Sequence, residues 1–394
     1  MISAPASSKI YTKQFWLVCL SSLLFFASFN MIIPELPGYL TSLGGEDYKG
    51  LIISLFAITA MVSRPFSGKL SDTIGRIPVM LSGSLVCFIC SLFYPLLTSI
   101  AGFMLLRLVH GFSTGFTPTG QTAYISDIIP VQRRGEAMGL LGTAGAVGMA
   151  AGPAIGGTLA NRAGLDAMFY CSSAFGLISI LIILGMKETL PEKQRFEARH
   201  LKITKSDLFE PLVWAPCLIM VLCAYSYGAL FTVIPDFGEH LGIRNKGLLF
   251  TYLTMASLAV RLLGGKASDM YGRKAVLRIS TIVMVVAMLV IAFASTSFYL
   301  IAGIVVYGFA QGVTSPTLLA WATDLSPAAR KGRGVSSLYI SMEFGIGMGA
   351  FLSGLIYANE ISRFDNTFLV CGSLAASAFI LLMLFRKRET KPVH

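Results

Sequence analysis

Charge is what this chain has least of. Lys, Arg, Asp and Glu together make up 13% of its 394 residues, where an ordinary soluble domain carries about 25%. That deficit argues against a soluble enzyme and a disordered tail. Histidine is scarcer still, at 4 residues, and the seven cysteines (19, 87, 90, 171, 217, 223 and 371) all lie in apolar stretches. An odd number of cysteines in such places is no disulfide framework. Cys87 and Cys90 form a C-x-x-C with no second pair and no nearby His, so no metal and no cofactor is expected. The apolar stretch after Lys9 and Lys13 has no small-residue cleavage site and many similar stretches follow it, so it reads as a first spanning helix and not a signal peptide. What the chain has in abundance is apolar: 55% of its residues, with a mean hydropathy of +0.72. The net charge of +11 would suit a nucleic-acid binder, but the basic residues sit in short connectors between apolar runs. No nucleic-acid partner is expected.

Twelve helices of about 20 residues would use roughly 240 residues. The sequence supplies twelve apolar runs, at 14–40, 50–68, 78–97, 99–128, 137–160, 166–186, 211–235, 247–265, 275–295, 298–325, 335–358 and 366–385. Positive charge orients them. With the N-terminus inside, the outward gaps hold only Lys49, Arg162, Arg244, Lys246 and Arg363; Arg64, Arg107 and Arg261 lie within spans, and every other Lys and Arg is cytoplasmic. Both termini are therefore expected in the cytoplasm. The longest polar connector, from Lys187 to about Glu210, separates six spans from six. It gives a domain plan of 1–186, a linker at 187–210, and 211–394.

The two halves repeat. At an offset of 197, RPFSGKLSDTIGR from Arg64 aligns with RLLGGKASDMYGR from Arg261. Gly111, Gly115, Asp127, Gly148, Gly152 and Gly157 meet Gly308, Gly312, Asp324, Gly345, Gly349 and Gly354. Two parallel six-helix repeats imply an axis along the membrane normal and a path between the halves.

GKLSDTIGR (68–76) and GKASDMYGRK (265–274) resemble the G-x-x-x-D-x-x-G-R signature that the major facilitator superfamily carries between helices 2 and 3. The resemblance covers essentially the whole chain and implies an all-α membrane protein with twelve transmembrane helices in two pseudo-symmetric six-helix bundles. It also implies that Gly68, Asp72, Gly75, Arg76 and Asp127, echoed by Gly265, Asp269, Gly272, Arg273 and Asp324, form a cytoplasmic charge lock. Both copies are expected at turns. Asp72 is expected to draw on the helix-terminus dipole beside it, an effect of about 0.3–1 kcal/mol when exposed. In span 5, Gly139, Gly148, Gly152-Pro153 and Gly156-Gly157 match the spacing that this family's proton-coupled antiporters carry, whereas span 11 has Ala350 in place of the proline.

Three charged residues lie where a proton could be coupled. Arg107 in span 4 resembles the family's R-x-x-x-G arginine, which is linked to proton movement; at bilayer depth it should face a partner or water. His110, three residues on, reads as turned elsewhere. Glu35 lies near the outer mouth between Pro34 and Pro37. Glu343 lies ~13 Å into span 11, and its repeat position is Ala146, so symmetry gives no structural reason for it. It reads either as the coupling or substrate-binding acid or as a structural partner of Arg107. By resemblance, helices 1, 4, 7 and 10 line a central cavity, with Asn30, Arg107, Tyr225, Tyr227 and Gln311 at middle depth. GFSTG (111–115) and GIGMGA (345–350) mimic hydrolase and dinucleotide motifs, but neither follows a strand, and no enzyme is expected. The reading is a monomeric, plasma-membrane exporter of a small amphipathic drug or metabolite in exchange for protons. Alternatives are a symporter or facilitator importing a sugar or organic acid, and, in another class, a receptor or lipid scramblase.

Overall fold

The computed structural model describes residues 11–130, 133–203, 209–327 and 331–385. Among these the chain forms twelve long helices and no strand: α1 Lys13–Ile32, α2 Lys49–Thr73, α3 Arg76–Phe93, α4 Ile100–Ile128, α5 Arg134–Ala163, α6 Leu165–Leu184, α7 Trp214–His240, α8 Gly247–Tyr271, α9 Arg273–Ala292, α10 Ser297–Leu325, α11 Lys331–Tyr357 and α12 Phe364–Leu384. Ten of these segments are long and apolar enough to cross a membrane. Helices α4 and α8 match them in length, at 29 and 25 residues, but carry Arg107, His110 and Arg261 among their apolar residues. The protein is a multi-pass helical membrane protein.

The repeat visible in the sequence recurs in the caps and the packing. Ser99 Oγ accepts the Gly102 N–H at 3.2 Å at the start of α4, and its repeat mate Thr296 accepts from Tyr299 at 3.5 Å at the start of α10. Small residues set how closely helices approach. Gly111 and Gly115 bring α4 onto Phe56 and Ser63 of α2, and Gly308 and Gly312 bring α10 onto Leu253 and Ser257 of α8. Likewise Gly148 and Gly152 seat α5 on α1, and Gly345 and Gly349 seat α11 on α7. The six helices after the connector share one apolar core, centred on residues such as Met284, Tyr307 and Phe368.

The two sets of six meet along α2 with α11 and along α5 with α8. At the end away from the connector the contact is continuous. Gly50 lies on the α11 backbone at Ala350, Phe351 and Gly354, and Asn245 donates to Ala154 O and Thr158 Oγ1. Phe231 and Phe250 of the second set join the apolar cluster of Phe29 and Phe56 in the first. The backbone leaves α11 through two left-handed non-glycine residues, Ala358 and Asn359, a geometry that costs of order 1–3 kcal/mol each. It aims the Asn359 amide at Glu46 O across the interface, at 2.9 Å.

Candidate functional site

At the connector end, the signature sequences are helical almost to their ends. Gly68 through Asp72 form the last turns of α2, and the chain turns only at Gly75, whose φ of 120° a side chain would resist. Gly272, with φ 86°, ends α8 in the same way. The expected turn is thus a helix end plus one glycine, because residues 69–73 continue the hydrogen-bonding of α2. Arg76 donates to Asp72 Oδ1 at 2.6 Å and Asp127 Oδ2 at 3.0 Å. Arg273 repeats this with Asp269 and, at 2.9 Å, with Asp324. Each cluster stays within its own half. The carboxylate on the dipole of α3 is not Asp72 but Glu188 of the connector, which accepts the Arg76 and Ile77 backbone N–H groups, each at 3.0 Å. Gly265 belongs to the stretch 262–266 of α8, whose side chains lie outside the described residues.

The glycine series of α5 divides its work. Gly148, Gly152 and Gly156 lie on the α1 backbone at Leu23, Ala27 and Met31. Pro153 O and Gly157 instead meet Gly247 and Asn245 at the head of α8, so this part of the motif seals the two halves together. Gly68 and Gly139, nearer the connector, have no described neighbour where a side chain would go. Among the described residues the inter-half contacts are thus densest away from the connector and sparser toward it.

Where the interface opens, Glu343 of α11 meets an arginine. Its partner is Arg64 of α2, at 2.6 Å, and both side chains are nearly buried. The Arg64 guanidinium also lies 5.0 Å from the Tyr339 ring centre. The expected alternative of a Glu343–Arg107 pair is wrong, because Arg107 sits inside the first half. Fully buried, it donates to Ile52 O at 2.9 Å and the Tyr94 hydroxyl at 3.2 Å, with Phe56 4.7 Å beneath it and no carboxylate among its described partners. His110 is not turned away: three residues bring it back to within ~60°, and its Nδ1 lies 3.4 Å from the same Tyr94 hydroxyl.

The remaining cavity candidates separate. Asn30 is buried and donates to Phe26 O of its own helix at 2.8 Å. The Tyr225 backbone lies against Gly349 of α11 and its side chain is buried in the core of the second half, whereas Tyr227, ~200° around the helix, also packs against the apolar cluster of the first half. Tyr227 is half-buried, packs tilted against Phe231 with ring centres 4.6 Å apart, and lies within the electrostatic reach of Arg261 and Glu343. Gln311 is half-buried on α10, its Oε1 without a hydrogen bond among the described residues. At the end away from the connector, Glu35 is buried 3.8 Å from Lys246, which also holds Glu239 at 2.8 Å, and Lys49 pairs with Asp236 at 2.5 Å across the halves. Sequence reasoning missed Arg64 as the partner of Glu343. The available signal was that Arg64 and Arg261 recur at one repeat position inside otherwise apolar spans.

The profile of the Major Facilitator Superfamily matches residues 18–260 and 217–394. The chain is 26% identical to multidrug resistance protein 2 of Bacillus subtilis, over 96% of each chain. It is 28% identical to multidrug resistance protein MdtG of Serratia proteamaculans, over 80% of each. To the multi-drug resistance efflux pump PmrA of Streptococcus pneumoniae it is 28% identical, over 77% of this chain and 79% of that one. In fold it resembles the nucleoside transporter NupG, with a TM-score of 0.77 at 15% identity, covering 95% of this chain and 100% of that one. A D-xylose–proton symporter gives 0.76 at 16%, covering 94% and 97%.

Proposed function

The chain belongs to the Major Facilitator Superfamily, and we propose that within it this protein is a proton-coupled antiporter that exports a small amphipathic drug or metabolite by alternating access. The observation that carries the reading is the Arg64–Glu343 pair: an acid at bilayer depth, on the surface where the two halves must part, with no counterpart at Ala146. Its relatives named for multidrug resistance and the antiporter spacing in α5 favour export over import. In this reading the protein is a monomer in the plasma membrane, with both termini and the connector in the cytoplasm. The arrangement described above is then inward-facing.

Glu343 couples the two movements. Ionised, it holds Arg64 and ties α2 to α11; protonated, it loses the ion pair, and the hold between the halves at that depth weakens. Proton uptake from outside and release to the cytoplasm thereby alternate with substrate occupancy. Arg76 and Arg273 keep their carboxylates within each half here, and the lock between halves belongs to the opposite, outward-facing state. One proton falling through roughly 150 mV supplies about 3.5 kcal/mol, a concentration ratio of some hundreds. The test uses inverted vesicles and a panel of efflux dyes and drugs: an acid lumen should drive substrate uptake, and adding substrate to the purified protein should release protons. Uptake driven only by the reverse gradient rejects antiport, and no proton release with any transported compound rejects coupling.

A further inference from the structure

Helices α5 and α11 occupy matching places in the repeat, and each lays one row of residues on the opposite half. Along α11 the row is Tyr339, Glu343, Gly347, Ala350 and Gly354. Arg64 lies over Tyr339 and bonds Glu343, Gly347 faces Ala57, and Gly354 faces Gly50. Along α5 the same register reads Gly142, Ala146, Ala150, Pro153 and Gly157. A methyl on Gly142 would sit 3.7 Å from Arg261 Nη1, Ala150 O accepts from Thr251 at 2.7 Å, and Gly157 faces Asn245. Arg261 therefore stands to α5 as Arg64 stands to α11.

The two sides differ in what meets the guanidinium. Arg64 finds an aromatic ring and a carboxylate. Arg261 finds Gly142, and the register puts Ala146 where the acid would be; neither supplies a ring or a carboxylate, and among the described residues Arg261 has no ion pair and no hydrogen bond. Its side chain is only partly buried, so a ligand can reach it. A guanidinium at bilayer depth calls for an anion or water, and the planar fork of Arg suits a carboxylate. The two side chains missing from α5 are the ring and the acid that serve the other arginine. Tyr227, within electrostatic reach of both Arg261 and Glu343, adds an aromatic face and a hydroxyl on the α7 side.

We propose that Arg261 binds the carboxylate of an aromatic organic anion, whose ring lies on Gly142 where Tyr339 lies beside Arg64. The assignment rests on the transport reading and names the charge and shape of the substrate. The test compares 1-naphthoate with its neutral amide, 1-naphthamide, by calorimetry on the full chain in lipid nanodiscs. Naphthoate should bind at least tenfold more tightly than the amide. Arg261→Gln should bring the two to one level, and Arg261→Lys should restore part of the difference. Ala146→Glu places a carboxylate where the repeat puts Glu343; it should exclude naphthoate with Arg261 left in place, and it decides the matter if Arg261→Gln fails to fold. Equal binding of acid and amide by the native protein, or unchanged naphthoate binding in Arg261→Gln or Ala146→Glu, overturns the assignment. Proton-driven accumulation of a neutral or cationic drug alongside such a result leaves the antiport reading standing, so the two failures are told apart.

Discussion

Glu343 and Arg107 are both buried charges, yet their surroundings set different expectations. Glu343 has an ionic partner on the opposite half, and Arg64 keeps its stack on Tyr339 when the acid is neutralised. Glu343→Gln should therefore fold and lose less than the about 3–5 kcal/mol typical of breaking a buried pair, while pH-driven accumulation collapses and downhill exchange survives. Thermal unfolding and proton-driven transport on the same purified variant check this; normal stability with normal accumulation would sink the coupling role. Arg107 is instead held by a carbonyl, a hydroxyl and a ring within the first half. Tyr94→Phe removes the hydrogen bond to the Arg107 guanidinium, a loss of about 1.5–3 kcal/mol, together with the hydroxyl's contact to His110. It should lower stability without changing proton stoichiometry, as unfolding and proton-release measurements would show. A stoichiometry change with unaltered stability would instead place Tyr94 in the proton path.

Among the elements, α5 makes contrasting predictions from one motif. A methyl on Gly152 would enter the Ala27 backbone of α1, whereas a methyl on Gly139 meets no described atom. Gly152→Ala should cost about 1–3 kcal/mol through overpacking, and Gly139→Ala should change stability by no more than about 0.5 kcal/mol. Equal effects in a thermal-shift assay would contradict the packing described. The connector contributes a second element-scale case. Glu188 accepts two N–H groups at the start of α3 and Thr189 donates to Asp127 at 2.6 Å, so the connector is bonded into the signature cluster. Glu188→Ala should cost about 1 kcal/mol, the usual worth of a helix cap. A stability indistinguishable from the native protein would show that α3 does not depend on it.

For the whole molecule, the two halves are held by contacts concentrated away from the connector: Lys49 with Asp236, Glu35 with Lys246, Asn245 with Thr158 and Asn359 with Glu46. The proposed alternating-access cycle requires these to part. Lys49→Ala with Asp236→Ala removes both charges of one tie at once, so neither is left buried and alone. Distances between spin labels on the ends of α2 and α7 away from the connector should lengthen in the double variant, with a matching shortening at the connector end. An unchanged distance distribution would mean that the glycine contacts of α5 and α11, and not the ion pairs, hold this end shut.

Much of this was written in one dimension. Twelve spans, their order and the offset of 197 follow from the sequence alone, because bilayer thickness fixes span length and a duplicated chain keeps its glycines and charges in register. The carboxylates of Arg76 and Arg273 were also legible, since the signature repeats with them. Contacts that depend on which helix faces which were not. Glu343 pairs with Arg64, 279 positions away, because α11 lies on α2; Arg107, on the neighbouring α4, is turned inward to Ile52 and Tyr94. Tyr225 and Tyr227 are equivalent in hydropathy and differ only in the angle at which α7 presents them. Burial and pairing are properties of neighbouring helices in space, so only the tertiary structure decided that Arg64 has its acid and that Arg261, among the described residues, does not.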